Sequence, residues 1–464
     1  MIRLFRVFIP ASVVALLLSE IVIVLGCYAA SLFLVGFDYP GFDPAFYLFG
    51  EGNYWKLLVV TACIILGLYF QDLYTDLRIT SRILLVQQVC LAVGCALLFI
   101  ALLGYASADL ILGRWLMVVG SLGVILLVPT WRFFFWKYII ATLRSERVLL
   151  LGNSSILAEV IERIKEKPEF GYTILGYLCE DDPCDFAVPC LGSLKEIRQV
   201  CNDYKPTRIV VGMAERRNRL PVQDLLEIRF GGVMIEDAAD TYEVAMRRVC
   251  SRKIQPSQLI FSSMLGPRQH ALTIQNFYSL VFGLIGIVVT MPFMLLTAII
   301  VRLSSPGPVL YRQRRVGHNG HIFTLYKFRS MYTDAEARTG AVWATKDDPR
   351  ITPVGRWLRK LRLDELPQFW NVLRGDMSIV GPRPERPEFV ELLAHQIPYY
   401  RQRLAVKPGI TGWAQINHKY ADTELDAMIK LEYDLYYIKN LGLALDLYII
   451  FHTVKVMLLS RGAQ

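Results

Sequence analysis

Two adjacent carboxylates, Asp364 and Glu365, lie in the densest charged stretch of the chain. That stretch is GRWLRKLRLDELPQFWNVLRGDMSIVGPRPE, Gly355 to Glu385, and it also carries Arg356, Arg359, Lys360, Arg362 and Arg374. Positive charge at short range keeps an aspartate ionised and draws phosphate. Pro367 suits the first turn of a helix, which predicts Asp364 at or just before a helix start, where unpaired amides favour an anion. An ionised carboxylate facing a phosphate is repelled unless a cation lies between them. Magnesium fits, because it takes one or two carboxylates together with substrate phosphates, and Asp364 is its expected ligand. The pattern suits covalent phosphoryl transfer, with Asp364 attacking phosphorus to give an acyl phosphate. Neighbours in sequence point in different directions, so Asp364 and Glu365 are expected to have different tasks. The plainer alternative is an N-cap Asp beside a surface Glu in a salt-bridged helix. Five basic neighbours and the GPRPE that follows argue against it.

GPRPE, Gly381–Glu385, sets Arg383 between Pro382 and Pro384, so its backbone is restrained and its guanidinium is suited to phosphate. YRQRRVGHNGHIFTLYKFRSM, Tyr311–Met331, predicts two strands joined through Gly317–Gly320. Arg312, Arg314, Arg315, Lys327 and Arg329 are candidates for a phosphate site, or in part for lipid phosphates at a membrane surface. KPGITGWAQIN, Lys407–Asn417, is a Gly- and Pro-rich loop that can approach a ligand closely, though alone it is only a turn.

The elements that must position these groups begin in a membrane. Apolar runs cover Pro10–Phe37, Leu57–Phe70, Ile83–Leu103 and Leu110–Phe135. About 20 residues cross a bilayer, so the second run needs its flanks. Glu20 sits inside the first run, where a carboxylate is either functional or paired within the bundle. Arg3, Arg6, Arg78, Arg82, Arg132, Lys137, Arg144 and Arg147 flank one side, which places both ends of this four-helix unit in the cytoplasm. From Arg147, buried-strand patterns at RVLLLG, RIVVG and GGVMIED alternate with helical ones, which predicts a parallel α/β sheet. GNSSIL after the first strand lacks the glycines of a dinucleotide-binding turn, so a Rossmann-like domain without a cofactor is the preferred reading. A fifth apolar run, Phe277–Val301, has basic residues on both flanks and Pro292 near its middle. Both features fit a helix that enters one leaflet, bends and returns. The alternative is a kinked spanning helix. Amphipathic stretches at Arg386–Leu404 and Leu445–Arg461 suit either a membrane interface or a core.

Composition narrows the function class. The 464 residues are 54% apolar with a formal net charge of +9, which suits a membrane protein with an anionic partner. No cysteine follows Cys250, so no disulfide and no cysteine nucleophile serves the basic C-terminal part. All six histidines follow residue 269, which excludes interleaved Cys/His zinc spacing. Cys179, Cys184, Cys190 and Cys201 are expected to be reduced thiols of a cytoplasmic domain. No groove-reading motif supports nucleic acid as the partner. No cleavable signal peptide is expected at the start.

Taken together, these motifs resemble the bacterial sugar transferase family, the monotopic phosphoglycosyl transferases. The resemblance covers roughly the last 190 residues. It rests on Pro292, the Q-x-R-x-G spacing of Gln313, Arg315 and Gly317, KFRSM at Lys327–Met331, Arg359 before DELPQ at Asp364–Gln368, GDMSIVGPRP at Gly375–Pro384, and KPGITGWAQIN. The layout ahead of these motifs looks like the larger members of that family. The resemblance implies transfer of a sugar-1-phosphate from a UDP-sugar to undecaprenyl phosphate, releasing UMP, through an aspartyl-phosphosugar intermediate, as the first membrane step of surface polysaccharide synthesis. It implies Asp364 as nucleophile and magnesium ligand and Glu365 as its partner. Arg359, Arg383, Lys327, Arg329, Arg315, Gln313, Pro382, Pro384 and Gln415 are the implied phosphate or substrate contacts. Localisation would be the bacterial inner membrane with the catalytic domain in the cytoplasm, and a homodimer is left open. Gln275, Asn276, Ser279 and Met291 depart from the family's usual residues around the membrane helix. The expected fold class is membrane α plus α/β: a four-helix bundle (1–144), a Rossmann-like domain (145–255), a linker and re-entrant helix (256–310) and a small mixed catalytic domain (311–464). The competing reading is a non-enzymatic scaffold or nucleotide-sensing regulator. The stretch Tyr332–Pro353 is expected to read the sugar.

Overall fold

In the computed structural model, the described residues are 2–4, 7–36, 43–75, 77, 81–106, 112–139, 146–179, 186–213, 220–253, 266–333, 348–418 and 423–458. The chain divides into two compact units, principally Phe8–Thr241 and Tyr242–Gln464. The expected boundary at 255 therefore moves: the stretch from Tyr242 belongs with the C-terminal unit. Tyr242 Oη, Ser251 Oγ and the Ser251 amide all donate to the carboxylate of buried Glu432, at 2.9 Å each.

The first unit opens with α1 (Ala11–Gly36), α2 (Tyr54–Phe70), α3 (Arg82–Ala106) and α4 (Arg114–Phe134). Each helix packs on its chain neighbour and α1 closes on α4, giving the expected four-helix bundle. Apolar residues surround these helices, with Leu18, Leu98 and Leu126 exposed on the outside, as helices immersed in lipid require. Among the described residues, α1, α3, α4 and one helix of the second unit are long and apolar enough to cross a membrane. At 17 residues, α2 spans only about 25 Å. Glu20 is fully buried and pairs within the bundle: Arg132 Nε lies 2.6 Å from Oε1, and Tyr74 also donates to this carboxylate. A buried carboxylate is tolerated there because a guanidinium and a phenol neutralise it.

The rest of this unit is a five-stranded, all-parallel sheet. Its strands are β1 (Glu146–Leu151), β2 (Tyr172–Cys179), β3 (Cys190–Ser193), β4 (Arg208–Val211) and β5 (Met234–Asp237), in the order 3-2-1-4-5. The intervening helices are α5 (Ser155–Glu166), α6 (Ile197–Tyr204) and α7 (Val222–Phe230); after β5 comes α8 (Ala238–Met246), whose residues from Tyr242 are counted with the second unit. Central β1 reads VLLL at its buried end because both sheet faces are covered. The order is that of a doubly wound fold with its switch point between β1 and β4.

The second unit is built around α9 (Gln269–Ser304), the β6–β7 hairpin (Leu310–Val316 and Ile322–Phe328), α10 (Pro353–Lys360), α11 (Gln368–Leu373), β8 (Ser378–Val380), α12 (Pro387–Gln396), β9 (Gly409–Thr411), α13 (Trp413–Asn417), α14 (Glu424–Lys439) and α15 (Leu443–Leu458). Its core gathers Val380, Trp413, Leu431, Leu435, Tyr436, Leu445 and Ile449. Trp413 stacks on Tyr436 at 5.6 Å between ring centres. Leu445 and Ile449 are fully buried, so that face of α15 is a core face. The amphipathic stretch Arg386–Leu404 is not one helix: α12 ends at Gln396, Pro398 follows, and Tyr399 turns at φ +62° into the 3-10 segment Tyr400–Ala405.

At 36 residues α9 is about 54 Å long, and it continues on both sides of Pro292. The Thr290 hydroxyl bonds back to the Gly286 carbonyl at 2.6 Å just ahead of that proline. Gly283 and Gly286 let α9 lie flush on α11: a Cβ at either would fall 3.0 Å from Val372 or 2.6 Å from the Phe369 ring. Gln275 and Ser279 anchor the start of this helix. Gln275 Nε2 donates to Val380 O (3.2 Å), Tyr437 Oη (2.6 Å) and Asp446 Oδ2 (3.0 Å). Ser279 Oγ accepts from the Ile379 amide at 3.4 Å.

Candidate active site

Asp364 and Glu365 lie on a 3-10 turn, Leu363–Glu365, entered through Arg362 in the left-handed region (φ +58°) and followed by Pro367 at the N-terminus of α11. The predicted position just ahead of a helix start is thus the observed one. The turn packs against β7, whose alternation puts Phe323, Leu325 and Lys327 on one face. Phe323 and Leu325 enter the core, and the same face delivers the Lys327 ammonium to the carboxylates.

The two carboxylates differ as expected. Glu365 collects the cations: Lys327 Nζ at 3.0 Å, Arg362 Nη1 at 3.7 Å and Arg383 Nη2 at 3.7 Å, all from Oε1. Burial opposes its ionisation, but these three charges outweigh it and hold its carboxyl well below the ordinary range. Asp364 is 7% exposed, and its Oδ1 is buried with no hydrogen-bond partner among the described residues. Burial first, and the Glu365 charge second, push its carboxyl up, against the pull of Lys327, Arg359 and Arg362. A buried carboxylate oxygen without a donor is costly unless something else satisfies it. A divalent cation would meet that need. Among the described residues no group of three or more His, Cys, Asp or Glu side chains is disposed to hold a metal. A magnesium ion here would take its other ligands from phosphate and water, which is its usual habit.

Of the five basic residues around the dyad in sequence, only Arg362 contacts it. Arg359 acts on it through its field, and its Nε donates to Ser330 Oγ at 3.0 Å. Arg356 and Lys360 are exposed, and Arg374 pairs with Asp376 at 3.5 Å. Lys327 and Arg383 arrive from distant parts of the chain.

Four expected phosphate contacts lie elsewhere. Arg329 is 6% exposed and caps the C-terminal end of α9, donating to Ser305 O (2.7 Å), Ser305 Oγ (2.9 Å) and Pro306 O (2.7 Å). Its charge answers the helix carbonyls rather than a ligand. Arg315 is held twice by Gln313 Oε1 (3.0 and 2.7 Å) and donates to Pro384 O at 2.9 Å, so this pair supports the GPRPE turn from behind. Gln415 Nε2 bonds Ile410 O within its own loop at 3.3 Å. That loop also backs GPRPE: β8 and β9 pair in parallel, and a Cβ on Gly409 would fall 2.1 Å from the Gly381 nitrogen. Pro382 and Pro384 are buried in the turn and Arg383 is half-buried, with its guanidinium toward Glu365. The sequence reading passed over Arg403, Tyr400 and Asp434, which form a buried cluster beneath the turn. An arginine within the aromatic run PYYRQRL was the available signal. Residues 334–347 of the expected sugar-reading stretch lie outside the described residues.

A family model described as bacterial sugar transferase matches residues 270–460, and one described as a CoA-binding domain matches residues 69–216. A UDP-N-acetylgalactosamine-undecaprenyl-phosphate N-acetylgalactosaminephosphotransferase of Aeromonas hydrophila is 50% identical over 182 residues, 39% of this chain and 43% of that one. An undecaprenyl-phosphate glucose phosphotransferase of Komagataeibacter xylinus is 46% identical over 177 residues, 37% of this chain and 33% of that one. The match thus spans less than half of either relative. A UDP-glucose:undecaprenyl-phosphate glucose-1-phosphate transferase of Xanthomonas campestris pv. campestris is 33% identical over 334 residues, 68% of each chain. The first family match contains the dyad, the hairpin that brings Lys327 and the turn that brings Arg383, and the Xanthomonas match extends well ahead of them; the chain belongs to the bacterial sugar transferase family.

Proposed function

We propose that this protein transfers a sugar-1-phosphate from a UDP-sugar to undecaprenyl phosphate, releasing UMP, as the first membrane step of a surface polysaccharide. The observation that carries the reading is the asymmetry of the dyad. Glu365 is tied into the cation cluster, whereas Asp364 keeps an unpaired oxygen beside it.

An Asp364 oxygen attacks the β-phosphorus of the donor. The bond from that phosphorus to the bridging oxygen breaks, and UMP leaves with the electron pair. A phosphate oxygen of the acceptor then attacks the same phosphorus, the aspartyl–phosphorus bond breaks, and the Asp364 carboxylate is restored. Glu365 holds Lys327, Arg362 and Arg383 around the reacting phosphorus, where three positive groups counter the charge that builds in the transition state. Magnesium, held by Asp364 when bound, neutralises the repulsion between carboxylate and diphosphate. Arg383 and Lys327 are the expected donor-phosphate contacts, with Arg359 behind them.

The contacts of α9 support the membrane part of this reading. Its N-terminal part is anchored through Gln275 and Ser279, and near its other end Val301 packs with Phe328 and Leu358 of the same unit. Leu284, Val288, Phe293 and Leu296 between them are exposed. A helix engaged at both ends by one water-facing unit keeps both ends on one side of a bilayer. This supports a re-entrant membrane helix; the basic flanks of the apolar runs, not α9, are what support an inner-membrane location with the catalytic unit in the cytoplasm.

Asp364→Asn in the full-length protein is expected to abolish both UMP release and capture of labelled phosphosugar on the protein. Turnover at the parental rate would overturn the assignment of the nucleophile.

A further inference from the structure

The carbonyls of four consecutive residues in the GPRPE turn are each engaged by a donor from elsewhere. Pro382 O accepts from the Gly409 amide at 3.0 Å and Glu385 O from the Val316 amide at 2.9 Å. Pro384 O accepts from Arg315 Nη1 at 2.9 Å. Arg383 O accepts from Arg403 Nη2 at 3.0 Å. Two of these donors are backbone amides and one is an arginine of the hairpin. The last is different in kind. Arg403 is 5% exposed and pairs through Nε (2.9 Å) and Nη2 (2.8 Å) with Oδ2 of Asp434, which is 1% exposed. Its Nη1 donates to Tyr400 Oη at 2.9 Å.

A buried ion pair is a poor way to add stability, since well-packed apolar residues of similar volume serve as well or better. This pair does what an apolar pair cannot: it aims a charged donor at the one carbonyl that orients the Arg383–Pro384 peptide. The flanking prolines restrict that backbone without fixing it. The hydrogen bond removes the remaining freedom, and so sets the point from which the Arg383 side chain reaches toward Glu365. We infer that Arg403, oriented by Asp434, is a positioning residue that fixes Arg383 for the diphosphate of the donor. The inference rests on the reading of Arg383 as a donor-phosphate ligand.

The test uses UDP, which carries the diphosphate without a transferable sugar, and calorimetric binding to the full-length protein in nanodiscs. The double change Arg403→Met with Asp434→Leu removes the pair without leaving a buried charge. It is expected to keep the parental melting temperature within a few degrees and to weaken UDP binding about ten-fold, the equivalent of one lost charge-assisted contact. In an Arg383→Ala background it should weaken binding less than two-fold further, because residues acting through one another are not additive. Arg403→Lys keeps a positive charge beside Asp434 but lacks the planar fork that spans Asp434, Tyr400 and the Arg383 carbonyl from separate nitrogens. It serves if the double variant does not fold, and the same weakening is expected of it. Weakening by Arg383→Ala together with parental binding by a folded Arg403 variant would overturn the positioning role and leave the donor-phosphate reading intact. Full additivity in the Arg383→Ala background would overturn it as well. Parental UDP binding by Arg383→Ala would instead overturn the reading on which it rests.

Discussion

Arg329→Met separates the phosphate-binding role expected from the sequence from the capping role seen in the structure. As a phosphate ligand, Arg329 would contribute to donor binding and little to stability. In the structure it makes three contacts of 2.7–2.9 Å to Ser305 and Pro306 at the end of α9, from a nearly sealed position. Hydrogen bonds from a charged donor contribute roughly 1.5–3 kcal/mol each, and removing the group takes the donor from the part-buried carbonyls of Ser305 and Pro306. Against this, the variant no longer has to desolvate a guanidinium. A net loss of about 3 kcal/mol or more is expected, which for a unit of some 200 residues lowers the melting temperature by roughly 6–12 °C. The assay is thermal unfolding of the purified protein in nanodiscs, run beside UMP-release kinetics at a temperature where the variant is folded. KM for the UDP-sugar should stay within about two-fold of the parent. Arg383→Met supplies the opposite pattern, because its side chain is 39% exposed and its contact with Glu365 is 3.7 Å: little change in melting and a large rise in KM. An Arg329→Met protein that melts like the parent and binds donor many-fold more weakly would refute the capping role.

Asp364 must be ionised to attack, and its carboxyl is pushed up to about 6 by burial and then by Glu365. The sign follows: kcat/KM should be full above that pH and fall about ten-fold per unit below it. Glu365→Gln removes the second cause and should move the acid limb to lower pH; an unmoved limb in a pH–rate profile would contradict the coupling. Gln275→Leu removes the amide that lies between Val380 O, Tyr437 Oη and Asp446 Oδ2, leaving Val380 O to Tyr437 and Asp446 Oδ2 to Tyr278. About 2–3 kcal/mol of stability should be lost, read as a lower urea midpoint, and a neutral outcome would show that the anchor does not depend on this residue.

The motifs and the elements that carry them were legible because their signals are local. The apolar stretches of the bundle, the strand–turn–strand pattern of Leu310–Phe328 and the helix start after Pro367 each depend on residues a few positions apart, where periodicity and backbone preference act. The pairing of Arg362 with Glu365 was legible for the same reason, since they are three residues apart on one turn. Arg356, Arg359, Lys360 and Arg374 are neighbours too, yet they do not touch the dyad: a helix sends successive residues to different faces, and the sequence does not say which face is covered.

Sequence by itself therefore determined the family, the dyad and the order of the elements. Tertiary structure alone decided which cations serve the carboxylates. It brought Lys327 from a strand and Arg383 from a turn to Glu365, turned Arg329 to the end of α9, and set Arg403 and Asp434 beneath the turn that holds Arg383. The reason is physical. A guanidinium or ammonium reaches several ångströms in any direction, so its charge is written in the sequence but its partner is fixed only when burial closes every alternative.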